Sequence, residues 1–415
     1  MKFLHVTAFF GPHSFGGDAV AVDRLAGALA RRGHEVHVVY CRDSFELLRG
    51  GQPDRPYAPP PGVRVHRLES GWGPLAPLAA HQTGRPLLQE PGLRAVIDVV
   101  RPDVTHFHNI SLFGPEVLRL GRGVRIMTAH EHWLVCPLSV LWKFDERVCE
   151  APECVRCVLA ARRPPQLWRG PLRPARAAAT LDALISPTQA LIDRHRERGL
   201  AARYVHIPHF LPGTWGGGPA ADPPAPEPSP SRGEGDRPYF AAAGRWERIK
   251  GFHVVAEAMA ELPELEFRLG GGGPDEPRIR AAAAGRGNVR LLGWLSPAEL
   301  RRLYAGAAAV VVPSLVYESF GYAVPEAFAA GAPVVVRNHG GQAELARLSG
   351  GGLAYDDRAG LVAALRRIAT EPGLRDGLAA SGRRYLAAEW NEDTHLARYL
   401  GLIADIRAGR RPPMQ

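Results

Sequence analysis

Glu318-Ser319-Phe320-Gly321-Tyr322-Ala323-Val324-Pro325-Glu326 follows the apolar run Ala309-Val310-Val311-Val312-Pro313. A short continuous apolar run ended by proline reads as a strand buried on both faces, as in a parallel sheet. The stretch after it makes a glycine turn and then opens a helix. Strand, turn and helix in that order form half of a βαβ unit, which points to an α/β fold. Two carboxylates stand eight positions apart across that turn. Carboxylates accept hydrogen bonds from hydroxyl groups, and the unpaired N–H groups of a helix start attract phosphate oxygens. The stretch suits a ligand that carries many hydroxyls and a pyrophosphate. Taken alone, the pair reads equally well as an acidic, solvated helix start.

The neighbouring glycine loops shift that balance. Gly244-Arg245 closes a strand, and Lys250-Gly251 opens the next helix. An arginine and a lysine so placed can both reach one pyrophosphate, at about 1.5–3 kcal/mol per charge-assisted contact. Gly270 to Gly273 ends another strand before Pro274, and glycine lets a ligand approach the backbone. That run is not a dinucleotide fingerprint, since it opens no helix with the G-x-G-x-x-G spacing. Gly340-Gly341-Gln342-Ala343-Glu344 follows the buried strand Pro333 to Val336. Singly, each is a structural turn. Four such loops after strands of one sheet are a binding site.

Strand and helix patterns alternate along the whole chain, the mark of parallel α/β architecture. Phe3 to Thr7 is a strand, Gly16-Gly17-Asp18 a loop, and Ala21, Leu25, Ala28 and Leu29 one face of a helix. Val36 to Tyr40, Asp103 to His108 and Arg125 to Thr128 are further strands. The segment 212–238 is dense in Pro, Gly and Ser and reads as a linker. The alternation then restarts: Tyr239 to Ala243 and Glu266 to Leu269 are strands, and Ser296-Pro297-Ala298-Glu299 is a capping box. The domains expected are 1–211 and 239–390, with a last helix in 391–415. Ligands of such sheets bind beyond the carboxyl ends of the strands, and the cleft between two facing domains is the expected site.

The 415 residues suffice for two domains, and 46% of them are apolar. Lys and Arg number 51 against 42 Asp and Glu. This excess fits a phosphate-bearing ligand, an anionic membrane face or nucleic acid, without choosing among them. No apolar run reaches the roughly 18 residues needed to span a bilayer. Met1 to Thr7 reads as a first strand rather than a leader, so a cytoplasmic protein is expected.

These motifs resemble those of the family 4 glycosyltransferases, retaining enzymes of the GT-B fold, in which two Rossmann-like domains face each other across a cleft. The resemblance is nearly continuous from Gly244 to Glu344. It takes in Gly293-Trp294, Pro313-Ser314, the two glutamates in E-x7-E spacing, and Ala327 to Pro333. Weaker matches are Gly16-Gly17, His106-Phe107-His108-Asn109, His130 and Ser186-Pro187-Thr188. It implies a hexosyltransferase that moves a sugar from a nucleotide-diphosphate sugar to a hydroxyl of a saccharide, lipid-linked or natural-product acceptor, as in polysaccharide biosynthesis. The first domain would bind acceptor, the second donor, and the last helix would pack back on the first domain.

The resemblance also implies roles. Arg245 and Lys250 hold the donor diphosphate, and Glu318 binds a hydroxyl of the donor sugar, with backbone contacts from Phe320 and Gly321. Glu326 binds the ribose, Gly16 and Gly17 approach the phosphates, and His130 lies close to the anomeric centre. Gly244, Gly273, Gly293, Trp294 and Glu344 complete the donor-binding set. The chain departs from the family where His209-Phe210 follow Pro208 in place of the frequent Asn-Gly, which bears on the hinge rather than the chemistry.

The chain has no Asp-x-Asp, the paired hard-oxygen ligands by which many nucleotide-sugar enzymes hold Mg²⁺ or Mn²⁺. No catalytic cofactor is expected. Two cationic side chains and a helix end would neutralise the leaving diphosphate. The departing phosphate oxygen would take the acceptor proton on the same face of the sugar, with neither glutamate as nucleophile.

Cys136, Cys149, Cys154 and Cys157 fall within one loop, 136–157, and Cys41 stands apart. A cytosolic setting argues against disulfides. A structural four-cysteine zinc site is the sharper expectation and a loop of reduced thiols the plainer one. Part of the resembling family carries a similar cysteine-bearing loop in its acceptor-side domain. His130 reads equally as a core histidine. Arg162-Arg163-Pro164-Pro165-Gln166-Leu167-Trp168-Arg169 reads as an arginine-rich solvated loop or a peripheral membrane contact at the inner face. Rival functions are a nucleotide-sugar epimerase, a pyridoxal-dependent phosphorylase, and a zinc-stapled nucleic-acid binder. The last needs stacking aromatics among its basic residues, and only Trp168 offers one, so no nucleic-acid partner is expected.

Overall fold

The computed structural model describes residues 1–14, 16–50, 57–166, 168–170, 173–216 and 238–415. Residues 217–237 of the expected linker lie outside the described residues. The chain divides into two units: Met1–Val140 with Ala151–His209 and His395–Gln415, and Leu141–Glu150 with Phe210–Thr394.

The first unit is built on strands β1 (Lys2–Thr7), β2 (Glu35–Cys41), β3 (Val63–Leu68), β4 (Val104–Phe107), β5 (Val124–Thr128), β6 (Ala183–Ser186) and β7 (Tyr204–His206), in the order β3-β2-β1-β4-β5-β6-β7. All are paired in parallel; Phe3 lies opposite Val36 on one side and Val104 on the other. A central parallel strand is covered on both faces, so β1 is buried from Phe3 onward, even at His5 and Thr7. The helix Gly17–Arg31 lays Val22, Leu25, Ala26 and Leu29 against the sheet. The chain builds outward from β1 to β3, then crosses to β4. That crossing is the topological switch point, where such sheets bind ligands. It falls where β1 runs into Gly16-Gly17 and β4 into His108-Asn109.

The second unit repeats the plan with β8 (Tyr239–Arg245), β9 (Glu266–Gly272), β10 (Val289–Gly293), β11 (Ala309–Val312), β12 (Val334–Arg337) and β13 (Gly352–Tyr355), in the order β10-β9-β8-β11-β12-β13. Its pairs are again parallel. One apolar layer gathers Phe240, Phe252, Phe267 and Leu365, the other Tyr304, Phe320, Phe328 and Trp390. The switch point lies between β8 and β11. β9 runs past Leu269, where the sequence pattern ends it, through Gly270 to Gly272. Those glycines keep pairing with Ala243 to Arg245. The capping box forms as expected: Ser296 N–H donates to Glu299 Oε2 at 2.7 Å, and Glu299 N–H to Ser296 Oγ at 3.3 Å.

The helix Glu392–Arg407 closes the chain. From His395 onward it belongs to the first unit, where His395 Nδ1–H donates to the Pro208 carbonyl at 2.7 Å and Tyr399 meets His106 Nδ1 at 3.0 Å. The hairpin Trp142–Lys143 with Arg147–Val148 groups with the second unit rather than with the rest of the cysteine loop. Asp145 at its tip accepts from Arg248 at 3.5 Å. Among the described residues, no helix is long and apolar enough to cross a membrane.

Candidate functional site

In the second unit, the loops after β8, β11 and β12 meet on Glu318. Lys250 Nζ donates to Glu318 Oε1 at 2.5 Å, and Ser314 Oγ donates to the same oxygen at 2.6 Å. His339 reaches the Ser314 carbonyl at 3.0 Å, and Gly341 N–H donates to the Glu318 carbonyl at 2.7 Å. Two glycines make this convergence possible. Gly251 has φ +70°, and a Cβ there would lie 2.3 Å from the Pro313 oxygen. A Cβ on Gly341 would lie 2.7 Å from the Ser319 oxygen. No side chain fits either gap.

Burial alone would raise the Glu318 carboxyl. The Lys250 charge and the bonds from Lys250 and Ser314, with Arg245 beyond them, outweigh it and hold Glu318 below the ordinary carboxylate range. The carboxylate is ionised, and both of these bonds fall on Oε1. Arg245, half exposed at the end of β8, pairs with Glu247 at 2.9 Å. Glu326 stands in the first turn of the helix Ala323–Ala329. Glu344 is buried in the helix Gly340–Ser349. Phe320 is buried against Tyr322 and Trp390. Trp294, 64% exposed, follows Gly293 at the end of β10, with its indole nitrogen beside Gly272. Gly244 and Gly273 lie at the ends of β8 and β9.

In the first unit, Gly16 caps the helix that Gly17 opens. Asp18 accepts from Asn109 Nδ2 at 2.9 Å, which ties that turn to the end of β4. Behind it runs a file of imidazoles. His5 Nδ1 meets His108 Nε2 at 3.0 Å, and His108 Nδ1 meets His130 Nε2 at 2.9 Å. His130 also stacks on His209, 5.2 Å between centroids. Burial pushes His130 down to about 4, with only the Asp18 charge opposing, and His5 down to about 3. The buried His5 Nε2 has no hydrogen-bond partner among the described residues. A bare acceptor is less costly there than an orphaned N–H. His5 therefore holds its proton on Nδ1, which donates to His108. His108 in turn donates from Nδ1, and His130 keeps its own proton on Nδ1. Beside it, burial first and Asp18 second push the Glu131 carboxyl up to about 8.

His5, His106 and His108 are the only group of three or more ligand-type side chains, among the described residues, whose atoms lie within 4.8 Å of one another. Five of their six nitrogens are spent on bonds within the group and to His130, Thr128 and Tyr399. Cys136, Cys154 and Cys157, all in the first unit, stand wider apart than that, and Cys149 belongs to the second unit. Trp168 and Arg169 do not form a solvated loop. Trp168 is 6% exposed and donates to the His81 carbonyl at 2.8 Å. The Arg169 guanidinium lies against Trp133 and Trp168 at 4.8 and 5.1 Å.

Sequence reasoning missed His339, Asp18, Asn109 and Glu131 as site members. His339 directly precedes the glycine pair that was singled out, and Asp18 directly follows the other, so adjacency was the available signal. Glu131 gave none, because its state is set by burial.

Residues 15–212 match the family profile described as Glycosyltransferase Family 4, and residues 237–371 match the profile described as Glycosyl transferases group 1. The lipopolysaccharide core biosynthesis glycosyltransferase LpsE of Rhizobium meliloti (strain 1021) is 31% identical over 174 residues, 41% of this chain and 50% of that protein. The match thus spans about half that relative's length. The structure superposes on sucrose-phosphate synthase from Thermosynechococcus elongatus with a TM-score of 0.71 at 20% identity, over 99% of this chain and 100% of the other. It also superposes on Anabaena HepE, solved in complex with UDP, with a TM-score of 0.67 at 16% identity, over 98% and 100%.

Proposed function

We propose, from the premise that the chain belongs to the family 4 glycosyltransferases and has their GT-B fold, that it transfers a sugar from a nucleotide-diphosphate sugar to an acceptor hydroxyl with retention of configuration. The observation that carries this reading is the convergence of Lys250 and Ser314 on one oxygen of Glu318. It leaves an ionised Oε2 to accept from a hydroxyl of the donor sugar. It also leaves two of the three Lys250 N–H donors for phosphate oxygens. Arg245 exchanges Glu247 for the diphosphate, so leaving-group charge falls on cations already in place. Preorganised charge of this kind is often the largest catalytic contribution. Glu326 takes the ribose hydroxyls. The departing phosphate oxygen accepts the acceptor proton on the face it leaves, which gives retention without an enzyme nucleophile and without a metal. The acceptor-side unit contributes Gly16, Gly17 and a neutral His130, whose Nδ1–H donates to a hydroxyl or ring oxygen. UDP-sugars and saccharide acceptors head the candidates, in line with the HepE complex and the LpsE name.

The test is a panel of nucleotide-sugars incubated with the purified chain, with and without saccharide acceptors and with a chelator present. The expected result is nucleoside diphosphate release from one donor, insensitive to chelator, and a product that keeps the donor's anomeric configuration. An inverted product overturns the retaining step, and chelator-sensitive turnover overturns the metal-free one. No release from any donor overturns the donor site.

A further inference from the structure

The first unit carries an outward apolar face and a group of arginines that the loops described above do not use. The helix Cys154–Ala160 packs inward through Cys157 and Val158 and turns Val155 and Leu159, one turn apart, outward at 59% and 57% exposed. Val155 also lines an open groove of about 440 Å³, whose walls include Leu134, Pro137, Val158 and Leu200 and hold no carboxylate. Single exposed aliphatics are ordinary on a protein surface. The charge around this pair sets it apart.

Pro165 lines the groove from the loop after that helix, and Pro174 and Ala175 line it from the helix Arg173–Ala178. On these two segments Arg162, Arg163, Arg173 and Arg176 are all exposed, and among the described residues none of them forms an ion pair. Arginines on other helices behave differently: Arg94, Arg280 and Arg367 each hold a glutamate one turn away. Arg162 stands where it does against backbone preference. Its N–H donates to the Leu159 carbonyl at 2.9 Å and the Arg163 N–H to the Val158 carbonyl at 3.0 Å, which makes Arg162 the residue just past the helix end, at φ +55°. Glycine is the usual residue of that turn, because a side chain disfavours the left-handed conformation. An arginine there weakens the turn and adds a cation that nothing on the protein meets.

Unpaired cations beside outward aliphatics match a bilayer surface, where anionic headgroups lie over an apolar layer. A nucleic acid fits less well. It needs aromatic side chains to stack on, and Trp168, the aromatic of this arginine run, is buried. An acidic peptide calls for fixed, converging donors, and among the described residues no side-chain bond holds these four guanidinium groups in one orientation.

We propose that the outward face of Cys154–Ala160 and the groove beside it dock the first unit on an anionic lipid bilayer. Val155 and Leu159 enter the apolar boundary, and Arg162, Arg163, Arg173 and Arg176 meet headgroup phosphates. The surface is separate from the donor loops, and nothing in it requires sugar transfer.

Sedimentation of the full chain with vesicles of equal parts phosphatidylglycerol and phosphatidylcholine, at low salt, tests this against vesicles of phosphatidylcholine alone. Binding to the anionic vesicles is expected to be roughly tenfold tighter or more, and to weaken as salt rises. Arg162→Gly removes a charge and suits the turn, so vesicle affinity should fall about fivefold while Tm holds or rises. Arg173→Gln should lower affinity by a similar factor. Val155→Asn with Leu159→Asn should weaken binding at unchanged Tm and leave its salt dependence in place. No sedimentation with anionic vesicles, or equal binding to the neutral ones, overturns the proposal. Folded variants that all bind like the parent overturn its placement on this face. Capture by soluble poly-glutamate as tight as that by vesicles, and undiminished by the paired asparagines, overturns it in favour of an acidic polymer.

Discussion

Lys250 and Glu318 meet in the second unit as a charged pair, whereas the first unit keeps His5, His106, His108 and His130 uncharged in a hydrogen-bonded file. Both clusters sit at a switch point of a parallel sheet, and both take titratable groups largely out of water. The second offsets that cost with opposite charge and a hydroxyl donor. The first avoids it by giving up protons. A site that must meet a highly charged leaving group keeps its charges fixed. A site that positions neutral hydroxyls does better with neutral donors, whose protons are assigned by their neighbours. The two arrangements answer differently to mutation and to pH.

Removing the cation breaks the contrast most directly. Lys250→Ala should lower nucleoside diphosphate release by on the order of 10²–10³, as should Glu318→Ala, the usual loss for one preorganised donor. Both should keep a cooperative thermal transition. Lys250→Ala also leaves the largely buried Glu318 carboxylate without its cation, so its Tm should fall further than that of the Lys250→Ala, Glu318→Ala double variant. Near-full turnover in either single variant would show that the charged cluster is structural and that the contrast between the units is one of packing.

The next effect concerns how the charged pair is held. Gly251→Ala places a Cβ against the Pro313 carbonyl and asks alanine to adopt φ +70°. The backbone preference alone costs about 1–2 kcal/mol, and the loop must also move. Turnover should fall at least tenfold with a lowered Tm, while Gly285→Ala, whose Cβ meets nothing within 4 Å although its φ is +71°, should lower Tm alone. Equal turnover in the two variants would show that the loop geometry around Glu318 is not needed.

The contrast also explains what could be read from the sequence. The parallel strands were plain, because a strand covered on both faces must be apolar along its length. Ala309 to Val312 and Val334 to Val336 left little alternative. The second-unit site was legible because fixed charges and obligatory glycines are residue types with few other uses at strand ends. The first-unit site was largely hidden. A histidine in β1 or β4 is written the same way whether it faces solvent or lies in a buried file, and only the packing of Tyr399, from the far end of the chain, closes that file. Glu131 is the extreme case, a carboxylic acid kept neutral first by burial and then by the Asp18 charge, neither of which its own place in the sequence announces. Arg169 was misread for the related reason that a run of arginines looks solvated until two tryptophans are seen to enclose one of them.

Acidification should act on the first unit. His5 is lowered to about 3 and His130 and His395 to about 4, from an ordinary 6.5, and His106, His108 and His209 also fall well below it. In each case the unfolded chain binds a proton that the folded chain refuses. Stability is therefore complete above about pH 6.5 and is lost as pH falls from 6.5 toward 4, each group adding up to about 1.4 kcal/mol per pH unit. Tm should fall steeply over that window. His5→Phe removes one such group and should shallow the slope. A slope unchanged in His5→Phe, or a Tm flat from pH 7 to 5, would mean that the file opens to solvent before it charges.

The smallest effect runs in the opposite direction. Glu131, raised to about 8, keeps in the folded state a proton that the unfolded chain gives up near 4.5. Its contribution is present at low pH and is lost as pH rises between those values, so it opposes the histidines over the same range. Because the carboxyl is half-buried, water can reach part of its charge, and the loss should be modest. Glu131→Gln keeps the shape and fixes the neutral state. It should leave Tm near pH 5 unchanged and raise it slightly at pH 8.5, and the variant's curve should still rise from pH 5 to 6.5 with the histidines alone. A parent protein whose Tm is already flat from pH 6.5 to 8.5, with Glu131→Gln superimposed on it, would show that Glu131 is ionised beside His130. The first unit would then hold a fixed charge of its own, and the opposition between a charged and a neutral site would no longer describe this molecule.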